Sequence, residues 1–154
     1  MSKLFSVNVE AIGRPPVPAE RDAVPAELVH GTPARLREDL QRLVGRAQVL
    51  HRVIDLVRYA SDASPYRYIP QAIVVARHVE DVVKVLRYCR ETGRHATFRA
   101  AGTSMNGQSQ SDDILIDVRK WFAGGVRIGD DGKHITARTG TILAHANEIG
   151  RAHV

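Results

Sequence analysis

An α/β fold with an antiparallel addition (α/β shading into α+β) is predicted by three observations. A short β-branched run, Ala72-Ile73-Val74-Val75-Ala76, is followed by a helix-spaced segment and then by a second strand, His95 to Arg99. This strand–helix–strand order is the building unit of α/β architecture. A loop of small residues, Ala100-Ala101-Gly102-Thr103-Ser104-Met105-Asn106-Gly107-Gln108, then leads to a third strand, Asp113 to Val118. Finally, Gly129-Asp130-Asp131-Gly132 lies between Val126–Ile128 and His134–Ala137, a hairpin signal.

The 154 residues suffice for a real core, and 44% hydrophobic with 25% charged is ordinary for a globular protein. No run approaches the roughly 20 apolar residues of a membrane span, and the N-terminus has no stretch of signal-peptide length. One cysteine, Cys89, excludes an internal disulfide and any local metal site built on several thiolates. The expected setting is the cytoplasm, with at most a peripheral membrane association. The net charge of +5 comes from arginines interspersed with acids, as in Arg87-Tyr88-Cys89-Arg90-Glu91. A nucleic-acid footprint would cluster on one face, so none is expected.

Residues 1 to about 33 read as an extended arm, because Gly13-Arg14-Pro15-Pro16-Val17-Pro18 and Val24-Pro25-Ala26 oppose regular structure. Thr32 resembles an N-cap with Pro33 at the first helical position. Leu36, Leu40, Leu43 and Val44 recur at helical spacing, and Gly45 ends the helix. Val49, Val53, Ile54, Val57 and Arg58 suggest a second helical stretch. Tyr59 to Tyr66 is a loop rich in residues that hydrogen-bond their own backbone. After the strand at 72–76, Glu80 and Asp81 open a helix with charge suited to its N-terminal dipole. Val82, Val83, Val85, Leu86 and Cys89 form its apolar face, and Gly93 is its stop. Trp121 and Phe122 are expected as core or interface anchors, and Trp121 and Tyr88 as core residues in preference to cofactor-stacking ones. Thr139-Gly140-Thr141 leads into a helix, Ile142 to Ile149, and Ala152-His153-Val154 reads as the start of another strand. This order is that of an unfinished architecture, so a longer chain is expected.

The small-residue loop carries the chemistry. A loop of this composition can turn a run of main-chain N–H groups toward one point, making an anion-binding nest. Bulky side chains would hold a phosphate away from that backbone. The alternative is a long polar turn, since such compositions are common in turns.

Several segments in order resemble the FAD-linked oxidases, the vanillyl-alcohol-oxidase or PCMH-type flavoproteins. They are Tyr59-Ala60-Ser61-Asp62-Ala63-Ser64, Pro70 with the strand after it, Val79 to Leu86, Arg99 to Gln108, and Thr139-Gly140-Thr141-Ile142-Leu143. Within that family the similarity is greatest to the D-lactate dehydrogenase/glycolate oxidase branch. The resemblance implies an N-terminal arm with helices over 1–58 and, over 59–154, the first α/β subdomain of a PCMH-type FAD-binding domain.

It also implies residue roles. Ala100, Ala101, Gly102, Thr103, Ser104, Met105, Asn106 and Gly107 would wrap the FAD diphosphate, chiefly through main-chain N–H groups. The hydroxyls of Thr103 and Ser104 would add donors, and Gln108 would hold the loop or reach the flavin side. Pro70 would line the adenosine end, and Gly140 and Thr141 would approach from a second turn. The commoner family loop has glycine where this chain has Ala100 and Ala101, which alanine tolerates only if φ stays negative. Some relatives attach FAD through a histidine in this loop; Thr103 stands at that position, which implies non-covalent FAD.

The resemblance places the catalytic base, the substrate clamp and the remainder of the FAD and substrate domains downstream, followed in long relatives by an iron–sulfur region. No catalytic residue is therefore assigned within 1–154. The implied reaction is hydride transfer from a small 2-hydroxy acid, such as D-lactate or glycolate, to FAD. Two readings stay open beside it: a non-catalytic flavin-fold module that binds a partner, and a nucleotide-sugar reductase of the same superfamily. The seven histidines show no metal-site spacing, and no metal is expected. Adjacent Asp112 and Asp113 alternate faces and do not make a carboxylate pair. Ser104 lies in no G-x-S-x-G nucleophile elbow.

Overall fold

The computed structural model describes residues 23–130 and 132–151. The proline-rich stretch at 15–18 and the C-terminal strand start at 152–154 lie outside them. Helix α1 (Ala34–Val44) leads into strand β1 (Val49–Leu50) and a short helix, α2 (Val53–Arg58). Strand β2 (Ala72–Val75), helix α3 (Val79–Thr92) and strand β3 (Ala96–Arg99) form the predicted strand–helix–strand unit. Strand β4 (Ile114–Asp117), the hairpin β5 (Arg127–Ile128) and β6 (Ile135–Thr136), and helix α4 (Leu143–Arg151) follow.

The main sheet has the order β1-β2-β4-β3. Strands β2, β4 and β3 are parallel, with Ala72 and Ala96 both opposite Ile114 and with Val75 and Arg99 both opposite Asp117. β1 joins the edge antiparallel. Central strands covered on both faces have no polar alternation. Accordingly Ala72, Ile73, Val74, Ile114, Leu115 and Ile116 are all fully buried. One face packs on Leu36, Leu40 and Val44 of α1 and on Val85 and Cys89 of α3. The other places Ile73 and Leu115 against Leu28 and Leu56. Residues from both sides of position 58 share these two clusters.

Several local readings need correction. α1 begins at Ala34, Pro33 is extended at ψ 136°, and no side chain caps the helix. The hydroxyl of Thr32 is buried without a partner, so Thr32 is not the cap. The helical stretch read from Val49 to Arg58 is split, because Val49 and Leu50 pair with Val74 and Ile73. Here a tertiary strand partner overrides local periodicity. Part of the segment read as an arm is core: Leu28, in a 3-10 turn at Ala26–Leu28, is 1% exposed. On α3, Val85 and Cys89 are buried but Val83 and Leu86 face solvent. Trp121 is 46% exposed and is not core, whereas Phe122 and Tyr88 do pack on the first cluster. Gly93 ends α3 at a left-handed φ of 68°, as the stop signal requires.

Candidate functional site

The parallel arrangement brings the C-terminal ends of β2, β4 and β3 to one edge, the usual place for ligands in such sheets. At that edge Arg99 and Asp117 are cross-strand partners, pointing to the face opposite α1 and α3. The Tyr59 side chain joins them. Its ring centroid lies 5.3 Å from the Arg99 guanidinium carbon, and its hydroxyl donates to Asp117 at 2.6 Å. Burial and that carboxylate push the Tyr59 phenol up to about 12. The other Asp117 oxygen accepts from the Arg119 main-chain N–H at 2.8 Å.

Arg99 also holds the loops. Its guanidinium donates to the carbonyls of Tyr59 at 3.2 Å, Ser61 at 2.9 Å and Ser109 at 3.5 Å. Asp62 makes a second tie. It accepts from Ser64 N at 2.9 Å, Ser109 Oγ at 2.9 Å and Gln110 Nε2 at 2.6 Å. The 59–66 segment therefore clamps both ends of the small-residue loop. Desolvation pushes the Asp62 carboxyl up, but the bonds from Ser64, Gln110 and Ser109 outweigh it and hold it well below the usual carboxylate range.

The sign of the resulting pH dependence follows from that depression. The stability from Asp62 is present above about pH 4, its unfolded range, and is lost as pH falls toward the folded value. Asp62→Asn is expected to lower the melting temperature at pH 7 and to flatten its decline below pH 4. Melting curves across that range check both; an unchanged acid slope would remove Asp62 from the clamp.

Within the loop, the Ser104 hydroxyl accepts from Asn106 N at 3.3 Å and Gln108 N at 3.0 Å and donates to Gln108 Oε1. The Ser104 hydroxyl is thus committed to the turn, and Gln108 holds the loop. Gly107, at φ 77°, lies where a Cβ would come within 3.1 Å of the Tyr66 ring. No main-chain N–H from Ala101 to Met105 donates to another described residue. Ala100 and Ala101 both avoid positive φ, because only glycines have it among the described residues. The condition that alanine imposes on a family-like loop is therefore met.

A groove starts at this loop. Its first part is lined by Arg58, Tyr59, Arg99, Ala100, Ala101, Asp117 and Arg119. A second hollow shares Tyr59, Asp117 and Arg119 with it and extends to Arg77 and Trp121. A third shares Arg77 and Trp121 and reaches Thr139. Through these shared residues the three adjoin in this order, a track of neighbouring hollows along the ends of β3, β4 and β2. Arg58, Arg99 and Arg119 in the first hollow, beside the loop whose N–H groups are unpaired among the described residues, suit an anion such as a diphosphate.

Of the predicted site residues, Ala100 to Gln108 thus stand together on one loop. Gly140 and Thr141 lie behind the far end of the track. Gly140 donates to the Phe122 carbonyl at 2.9 Å, and the Thr141 hydroxyl donates to that of Gly124 at 3.0 Å. Pro70 does not join them. It is buried at the start of β2, the opposite end of the parallel strands from Ala100. The sequence reading missed Arg58, Tyr59, Arg119 and Asp117. A usable signal was present: Asp117 is the one charge inside the run Ile114-Leu115-Ile116-Asp117-Val118. A buried carboxylate there demands donors, which Tyr59 and the Arg119 backbone supply.

No described helix is long and apolar enough to cross a membrane, and no cluster of three or more His, Cys, Asp or Glu among the described residues is placed to hold a metal.

Comparison with known proteins bears on this geometry. The crystal structure of p-cresol methylhydroxylase with substrate bound matches with a TM-score of 0.59 and 18% identity, over 77% of this chain and 24% of that one. That likeness shows the fold. D-2-hydroxyglutarate dehydrogenase of Haemophilus influenzae is 24% identical over 119 residues, or 75% of this chain. The enzyme of the same name from Pseudomonas putida is 29% identical over 97 residues, or 61% of this chain. The chain spans only 12% and 10% of the lengths of these relatives. Residues 70–153 match the model of the FAD binding domain. That match takes in α3, the unpaired N–H run and the Gly140 turn, so the chain belongs to the FAD binding domain family, and FAD is its cofactor.

Proposed function

We propose that this chain supplies the diphosphate-binding part of a flavin-dependent dehydrogenase that oxidises a small 2-hydroxy acid. One observation supports this reading: no main-chain N–H from Ala101 to Met105 is paired among the described residues, and the start of this loop, Ala100 and Ala101, lines a hollow together with Arg58 and Arg119. These donors would hold the diphosphate, and the exposed Thr103 hydroxyl would add another. Ser104, Gly107 and Gln108 keep the loop in shape, with Arg99 and Asp62 clamping its ends. Gly140 and Thr141 fix the far turn, and Pro70 anchors the start of β2. FAD, when bound, supplies the hydride acceptor. Thr103 offers no nucleophile suited to flavin attachment, so the cofactor is held non-covalently.

The two relatives bear the name D-2-hydroxyglutarate dehydrogenase, which puts that acid first among the substrates, with D-lactate and glycolate in the same chemical class. The catalytic base, the substrate clamp and any iron–sulfur region belong to further sequence, and the setting is the cytoplasm. The test uses the full-length protein. Anaerobic addition of D-2-hydroxyglutarate, D-lactate or glycolate is expected to bleach the visible flavin band with at least one acid. A flavin-loaded protein that none of them reduces would overturn the substrate class. Acid precipitation should release the flavin into the supernatant; a coloured pellet would overturn the non-covalent reading.

A further inference from the structure

Trp121 is an exposed indole with Arg77 and Lys120 beside it. It is 46% exposed and sits where the second and third parts of the track meet. The adjacent Phe122 packs on the core and so pins the turn that presents it. The Lys120 ammonium lies 5.1 Å from its ring centroid and the Arg77 guanidinium carbon lies 5.5 Å from it. Both cations are themselves exposed and can yield to a ligand. A large aromatic face left in water among cations gains more from a second ring than from solvent. The same cations suit a phosphate next to that ring.

We infer that Trp121 is a stacking platform for a heteroaromatic ring of the bound dinucleotide, flanked by Arg77 and Lys120. This rests on the proposed placement of the diphosphate at Ala101 to Met105. Tyr59, Asp117 and Arg119 stand between the two positions, lining both the hollow at Ala101 and the one at Trp121. Trp121 is then a binding residue at one end of the cofactor.

The experiment measures FAD, ADP and FMN binding to the full-length apoprotein for wild type, Trp121→Leu and Trp121→Phe. ADP carries the adenine without the flavin, and FMN the flavin without the adenine. Stacking on an aromatic side chain predicts that Trp121→Leu weakens FAD about tenfold or more. The same loss should appear for ADP alone if the ring is adenine, or for FMN alone if it is the flavin. Trp121→Phe should keep most of the affinity, and ligand quenching of the Trp121 emission, isolated as wild type minus Trp121→Phe, should follow the same ligand. Unchanged binding of all three ligands to Trp121→Leu would overturn the inference while leaving the diphosphate placement intact. So would an equal loss for all three, which would mark a general disturbance of the groove. A wild-type protein that binds none of them would overturn both.

Discussion

Gly102→Asp is expected to abolish flavin retention, with FAD affinity falling about 100-fold or more. Two effects combine. Gly102 sits at a φ of 69°, where a Cβ would come within 2.4 Å of the Arg99 guanidinium. An L side chain in that conformation is strained by about 1 kcal/mol or more. Arg99 cannot retreat freely, because it donates to the carbonyls of Tyr59, Ser61 and Ser109. The new carboxylate would also stand in the loop proposed to hold the diphosphate, and like charges at short range cost several kcal/mol when partly desolvated. The visible spectrum after desalting gives the answer, with circular dichroism to show that the fold persists. A folded Gly102→Asp protein that keeps its flavin would remove this loop from the site.

Gly140→Val should destabilise the fold by about 3 kcal/mol or more, lowering the melting temperature by roughly 6–12 °C. The glycine here is needed for space alone, since its φ is not in the left-handed region. A Cβ would lie 2.3 Å from the Arg119 carbonyl oxygen, 2.9 Å from the Phe122 carbonyl carbon and 3.0 Å from the Ala123 nitrogen. All three are backbone, so relief requires moving the 119–123 turn that carries Trp121. Thermal melting of the apoprotein tests this without any cofactor. A melting temperature within 2 °C of wild type would mean that the turn adapts at a cost of about 1 kcal/mol or less. Gly140 would then matter only through its approach to FAD.

These two glycines come from the same reading of small residues near a cofactor, yet they act differently. Gly102 is within the loop proposed to cradle the diphosphate, against the Arg99 guanidinium. Gly140 is buried behind it, where it lets the segment before α4 meet the turn after β4. Small residues mark close approach in a sequence, but what approaches is set by the tertiary partner. Thr103 and Ser104 divide in the same way: one hydroxyl is exposed, and the other is consumed by Gln108.

The sequence by itself determined the strand–helix–strand unit, the hairpin and the small-residue loop. Their signals are local: continuous apolar strands, helical spacing with a glycine stop at Gly93, and a loop with no bulky apolar residue except Met105. The family followed from the order of those words. Only the tertiary structure decided that Val49 and Leu50 are a strand, since that depends on β2 lying alongside. It likewise decided that Leu28 is core, that Trp121 is not, and that Pro70 lies away from Ala100. The groove itself was illegible, because Arg58, Tyr59, Arg99, Asp117 and Arg119 are spread over 62 positions and meet only when β4 inserts between β2 and β3. Periodicity reports which residues share an element, but sheet order decides which elements share an edge.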